Sequence, residues 1–286
     1  MNGVDLDVAI GECYALLGPN GAGKTTCVEI LEGYRERSAG EVEVLGFDPA
    51  TGGREFRSRI GIVLQQAGIE PDLRVREILD YYGGMYPTRR QLDEVIEAVG
   101  LADKADAKVK TLSGGQRRRL DMALVLIGDP DLLFLDEPTT GFDPSARRNS
   151  WDLIAGLRSL GKTILLTTHY MDEAQNLADR VGVLVGGKIV AEGPPDTIAG
   201  RESGDALIRF RLPSEIAVSD LPSQLAEISV ENGAVTLTTA DATRTLHALT
   251  GWAIERGLEL DALTVTRPSL EDIYLQLAGD GAEVSQ

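Results

Sequence analysis

Residues 18–25 read Gly-Pro-Asn-Gly-Ala-Gly-Lys-Thr, preceded by the apolar run Cys13–Leu17 and followed by the helical stretch Thr26–Leu31. Closely spaced glycines let backbone N–H groups turn inward around a phosphate, and the N-terminus of the next helix adds its positive dipole end. Lys24 can supply a point charge to β- and γ-phosphates, while the Thr25 hydroxyl suits Mg²⁺. Asn20, Gly21, Ala22, Gly23, Lys24, Thr25 and Thr26 are therefore the candidate phosphate contacts. A glycine turn with no ligand would not need this strand and this helix on either side.

Two further clusters share the same chemistry. The apolar run Leu133-Phe134-Leu135 ends in Asp136-Glu137, and carboxylates at the C-terminal end of a strand face the ligand crevice of an open parallel sheet. Asp136 can hold magnesium, directly or through water, and Glu137 can polarise an attacking water. Alone, such a strand end would be unremarkable in a globular protein. Between the two clusters stands Leu112-Ser113-Gly114-Gly115-Gln116 at the opening of a helical run. That segment reads equally well as an N-cap or as an anion site.

Taken together, Leu-Ser-Gly-Gly-Gln lying between a Walker A loop and a Walker B strand resembles the signature of ABC ATPases. The resemblance covers about residues 3–200. It implies that Ser113, Gly114, Gly115 and Gln116 contact ATP, that Gln65 resembles the Q-loop glutamine reaching Mg²⁺ and the water, and that His169 resembles the switch histidine at the γ-phosphate. Glu137, His169 and Gln65 are then the catalytic set, and Thr25, Gln65 and Asp136 the metal set. Gly141-Phe142-Asp143-Pro144 is similar to the D-loop, with Phe where Leu is usual. The family also has an earlier strand carrying an aromatic that stacks on adenine; that position would precede Met1, so no base-stacking residue is named. The tail, around Pro268–Leu275, resembles the C-terminal extension of drug-exporter ABC ATPases of the daunorubicin-resistance kind.

What the resemblance implies is an α/β fold: a phosphate-loop NTPase core of the RecA-like type, an ABC helical subdomain, and a small C-terminal α+β domain. It further implies ATP and Mg²⁺ as cofactors, a head-to-tail homodimer with two composite sites, and a separate transmembrane permease driven from the cytoplasmic face of the membrane. Export of drugs or other hydrophobic compounds, with antibiotic resistance as its outcome, is the expected work. The alternative is an ABC ATPase acting on ribosomes or DNA.

The elements that must carry these residues follow from periodicity. Aliphatic runs at Cys13–Leu17, Ile60–Leu64, Leu132–Leu135, Ile164–Thr168 and Val181–Val185 read as strands of a buried parallel sheet. The stretch from about 67 to 129 reads as a helical insertion, with helices at Val75–Tyr82, Arg90–Val99 and Gly115–Ile127. Arg117, Arg118 and Arg119 read as a solvated face, and Tyr81, Tyr82 and Tyr86 as helix packing or a docking place for the permease. After Ala191–Pro195 a turn and a last helix are expected, then a boundary, giving domains at 1–203 and 204–286. Beyond it, Asn232-Gly233 sits between two alternating runs, Ile228–Glu231 and Ala234–Thr238, a hairpin signal. A helix from Thr243 to Arg256 stops at Gly257, and a final helix opens at Ser269. His247 reads as a surface or packing residue on the first of these.

Composition narrows the partners. The chain has 286 residues and a net charge of −17, and residues 201–286 alone hold six Arg, no Lys and fourteen acidic residues. Phosphate backbones are held mainly by Lys and Arg, so nucleic acid is an improbable partner. No apolar run reaches the length of a membrane span, and the first residues lack a secretory pattern. Cys13 and Cys27 have neither metal-ligand spacing nor disulfide partners, which suits a reducing compartment.

Overall fold

The computed structural model describes residues 1–63, 69–198, 205–213, 216–222, 225, 227–231, 233–266, 270–271 and 274. It divides into two compact units, Met1–Pro195 and Asp196–Gln286.

The first unit is built on a six-stranded sheet of order β2-β3-β4-β1-β5-β6. The strands are β1 (Cys13–Leu17), β2 (Ile60–Val63), β3 (Leu132–Asp136), β4 (Thr163–Thr168), β5 (Arg180–Val185) and β6 (Lys188–Gly193). The first five run parallel, and β6 pairs antiparallel with β5. Every residue of β1 and β4 is buried, as their unbroken aliphatic runs require of strands covered on both faces. The edge strand β6 alternates exposed and half-buried residues instead. Helices α1 (Lys24–Leu31), α2 (Gly53–Arg59), α3 (Val75–Gly83), α4 (Leu92–Ala98), α5 (Gly114–Leu126), α6 (Pro144–Ser159) and α7 (Met171–Leu177) connect these strands.

Register is what brings the chemistry together. Leu17 pairs with Thr168, so the phosphate loop and His169 leave the sheet at the same level. Asp136 pairs with Thr167, so Glu137 leaves one step from both. Close packing fixes where β2 lies: a β-carbon on Gly61 would stand 2.3 Å from Val125 Cγ1 of α5 and 2.8 Å from Leu133 Cδ2 of β3.

The second unit holds an antiparallel sheet of order β10-β7-β9-β8, from β7 (Ala206–Arg211), β8 (Glu227–Glu231), β9 (Ala234–Thr239) and β10 (Asp261–Thr266), with helix α8 (Ala242–Glu255). Ile208, Phe210, Val235, Leu237, Leu249 and Trp252 form its core. Asp241 Oδ1 caps α8 by accepting from Arg244 N at 3.0 Å.

Several expectations need correction. Ala191–Gly193 is the end of β6, and the turn expected after it follows at residues 195–197. The last helix expected after Pro195 falls partly on residues 199–204, outside the described residues. Arg118 is buried instead of solvated, its Nη2 donating to Pro138 O at 3.2 Å, because this face of α5 lies against the end of β3. Tyr81 is exposed, and it is Tyr86 that packs, filling the space a β-carbon on Gly128 would need. Helices α2, α6 and α7 and strands β6 and β10 were not anticipated. Of the helix expected from Ser269, only Leu270, Glu271 and Tyr274 are described. Among the described residues, no helix is long and apolar enough to cross a membrane.

Candidate functional site

The loop between β1 and α1 is shaped by its glycines. Gly18 comes so close to the end of β5 that a β-carbon would lie 2.4 Å from Leu184 O. Gly21 and Gly23 hold φ of 84° and 106°, a left-handed backbone that side chains resist. The first-turn N–H groups of α1, opened by Gly23, are left facing the loop. Lys24 is buried, and its ammonium donates to Gly18 O at 2.9 Å and to Pro19 O at 3.2 Å. The charge is thus held inside the curve of the loop instead of reaching into water.

Glu137 completes that arrangement from β3. Its Oε1 lies 3.3 Å from Lys24 Nζ and 3.3 Å from His169 Nδ1, and its Oε2 accepts from Thr140 Oγ1 at 3.1 Å. Burial alone would raise its pKa, but Lys24, Thr140 and His169 outweigh it and hold the carboxyl below its ordinary range. The residue adopts φ of 46°, immediately before Pro138, and is held there by its N–H donating to Thr167. A non-glycine residue in that region stores local strain. Asp136 approaches from the same strand end: its Oδ2 accepts from Thr25 Oγ1 at 3.4 Å, and its Oδ1 accepts from Thr167 Oγ1.

The Ser113–Gln116 segment stands elsewhere in the same chain. Ser113 caps α5 in a reciprocal box, with Gln116 N donating to Ser113 Oγ at 3.3 Å and Ser113 N donating to Gln116 Oε1 at 3.0 Å. Ser113, Gly114 and Gly115 remain exposed. They line an open groove of about 630 Å³ shared with Gly141, Phe142 and Asp143, and Lys24 is not among its walls. Asp143 in turn caps α6, accepting from Ser145 N at 2.8 Å and Ala146 N at 2.9 Å. Lys24, Thr25, Asp136, Glu137 and His169 therefore come together; of the Ser-Gly-Gly-Gln segment, only Gly114 shares a pocket with one of them, lining about 320 Å³ with Glu137 and Thr140. Gln65 lies outside the described residues.

The sequence matches the ABC transporter family over residues 1–140, and an ABC transporter domain-containing protein-like C-terminal domain over residues 206–269. It is 37% identical to a daunorubicin resistance ATP-binding protein of Streptomyces coeruleorubidus, over 100% of this chain and 93% of the relative. It is 40% identical to Nod factor export ATP-binding protein I of Burkholderia orbicola, over 98% of this chain and 92% of the relative. The chain belongs to the family of ABC transporter ATP-binding subunits. The fold agrees: a dimeric ATP-binding cassette in a post-hydrolysis state with ADP and Pi superposes with TM-score 0.57 at 26% identity, over 67% of this chain and 88% of that one. As a member, this chain is an ATP-binding, ATP-hydrolysing subunit.

The ABC site contains groups that no motif flagged. Thr140 and Thr167 fix the two carboxylates, and Tyr170 stacks on His169 with ring centroids 4.0 Å apart. Arg147 of α6 lies 3.9 Å over the Tyr170 ring. Hydroxyls before and after strand ends are too common for spacing to single them out. The Tyr170 and Arg147 pairing joins residues more than twenty positions apart in sequence.

Proposed function

We propose that this subunit hydrolyses ATP with Glu137 as the base that takes the proton of the attacking water, Lys24 and the loop of residues 20–26 holding the phosphates, and His169 contacting the γ-phosphate. The observation that carries the reading is the placement of one carboxylate oxygen, Glu137 Oε1, at 3.3 Å from both the loop's lysine and the histidine of the neighbouring strand. A base positioned there faces whatever the lysine binds.

The oxygens of Thr25 and Asp136 fit a hard divalent cation. Mg²⁺ prefers few protein ligands beside substrate phosphates, and a hydroxyl next to a carboxylate at a strand end supplies that donor set. When bound, the ion would neutralise charge developing on the phosphate oxygens. Gln65 is proposed to join them. Ser113, Gly114 and Gly115, all exposed, with Gln116 beside them in a groove that Lys24 does not line, would complete the site of a second copy, so that ATP is sandwiched in a head-to-tail homodimer and hydrolysis reopens it. Work on a partner then arises from the different affinities of open and closed states for the nucleotide.

The partner is proposed to be a transmembrane permease, with the subunit at its cytoplasmic face. Export of a drug-like or other hydrophobic compound is supported by the names of the relatives, a daunorubicin resistance ATP-binding protein and a Nod factor export ATP-binding protein. Replacing Glu137 with Gln is expected to lower ATP turnover at least about a hundredfold, the contribution of a positioned base, while the Kd for ATP changes less than a few-fold. Turnover near wild type in a steady-state phosphate-release assay would remove Glu137 from this role.

A further inference from the structure

Glu173, on α7, is fully buried and stands behind the reacting groups, not among them. Its Oε1 accepts from Thr139 Oγ1 at 2.8 Å and from the Trp151 indole Nε1 at 3.3 Å. The Thr168 hydroxyl is near enough to favour the charged carboxylate as well, and Thr168 Oγ1 itself accepts from Tyr170 N at 2.9 Å. Oε2 has no hydrogen-bond partner among the described residues. Burial dominates the carboxyl's environment and raises its pKa, against these donors and Arg147. A buried carboxyl is a costly way to fill space, since an apolar side chain of the same volume packs without desolvation.

The two donors and Thr168 come from three segments that each flank a part of the site. Thr139 follows Glu137 by two residues. Thr168 directly precedes His169, and its carbonyl accepts from Gly18 N at 3.3 Å, where the phosphate loop begins. Trp151 lies on α6, the helix that Asp143 caps. One carboxyl therefore bonds the arm carrying the base and the helix leading from the Gly141–Asp143 turn, and lies beside the hydroxyl that precedes the histidine.

Resting on the reading that Glu137 and His169 act on one nucleotide, we propose that Glu173 is a positioning residue for ATP hydrolysis, setting the Glu137 arm against the His169 arm through Thr139 and Thr168. Displacements of about an ångström at reacting groups cost up to a hundredfold in rate, so the effect belongs in kcat. In the full-length protein, Glu173→Gln is expected to lower kcat about tenfold with KM for ATP within twofold, and Glu173→Ala to lower it further, toward a hundredfold. Thr139→Val should also slow turnover, and the double variant Glu173→Gln with Thr139→Val should be no slower than the slower single one, because both changes break the same tie. The inference is overturned by a folded Glu173→Gln variant with wild-type kcat, by losses that multiply in the double variant, or by a kcat loss matched by an equal loss of folded protein in a thermal melt. Should Glu173→Ala fail to fold, the Gln and Val cycle decides alone. An active Glu137→Gln variant would refute the underlying reading; an inactive one beside a fully active Glu173→Gln would refute only the tie.

Discussion

At the residue scale, Glu32 and Glu137 respond to the protein in opposite directions. Glu32, at the end of α1, is buried, and burial first, then the charges of Asp136 and Glu29, pushes its carboxyl up from 4.5 to about 7. Below its unfolded value the residue is protonated in both states and costs nothing; as pH rises toward 7 the unfolded chain releases the proton first, and stability falls. Above pH 7 the penalty is complete, at about 3 kcal/mol. Glu32→Gln is therefore expected to stabilise the protein more at pH 8 than at pH 5, measured by urea denaturation; a pH-independent difference would contradict this. Glu137, held below its ordinary range by Lys24, Thr140 and His169, contributes stability above that range and loses it as pH falls. Lys24 was singled out by the glycine loop before it, Glu137 by the aliphatic run that it follows, and His169 only by the family resemblance. Glu173 was not: within Met171-Asp172-Glu173 it reads as ordinary acid in a first helical turn, and only the packing of α7 against β1 and β4 buries it.

At the element scale, the parallel strands were legible and their helices only partly so. Unbroken aliphatic runs have no other place than a sheet covered on both faces, so β1 to β5 emerged with shifts of at most one residue at their ends, Leu64 of the second run lying outside the described residues. Helix α6 carried its own start signal, Asp143 as cap and Pro144 at the first helical position, a pairing that reads as helix only when the segment is not already assigned to a loop. Strand β10 was missed although Leu263-Thr264-Val265-Thr266 alternates; all six of its residues are exposed, so the alternation marks no buried face. The packing of α5 on β2 yields a test. Gly61→Ala would press a methyl group into Val125 and Leu133, an overpacking that costs about 1–3 kcal/mol. The midpoint of denaturant unfolding should fall with an unchanged slope, and an unchanged midpoint would mean that α5 can shift without cost.

At the scale of the whole molecule, every residue proposed to touch ATP lies in the unit Met1–Pro195. A protein ending at Pro195 is expected to bind ATP with a Kd within a few-fold of the full chain, measured by calorimetry; loss of binding would show that the second unit supports the first. Composition places a boundary at 203, where the text of the sequence changes, and the compact units divide between Pro195 and Asp196. The tryptophans are divided in the same way. The chain has two, Trp151 bonded to Glu173 behind the nucleotide groups and Trp252 in the second core beneath Arg256. Each unit thus contains its own intrinsic fluorophore, and silencing either indole leaves an emission that follows the other half of the protein without any attached dye.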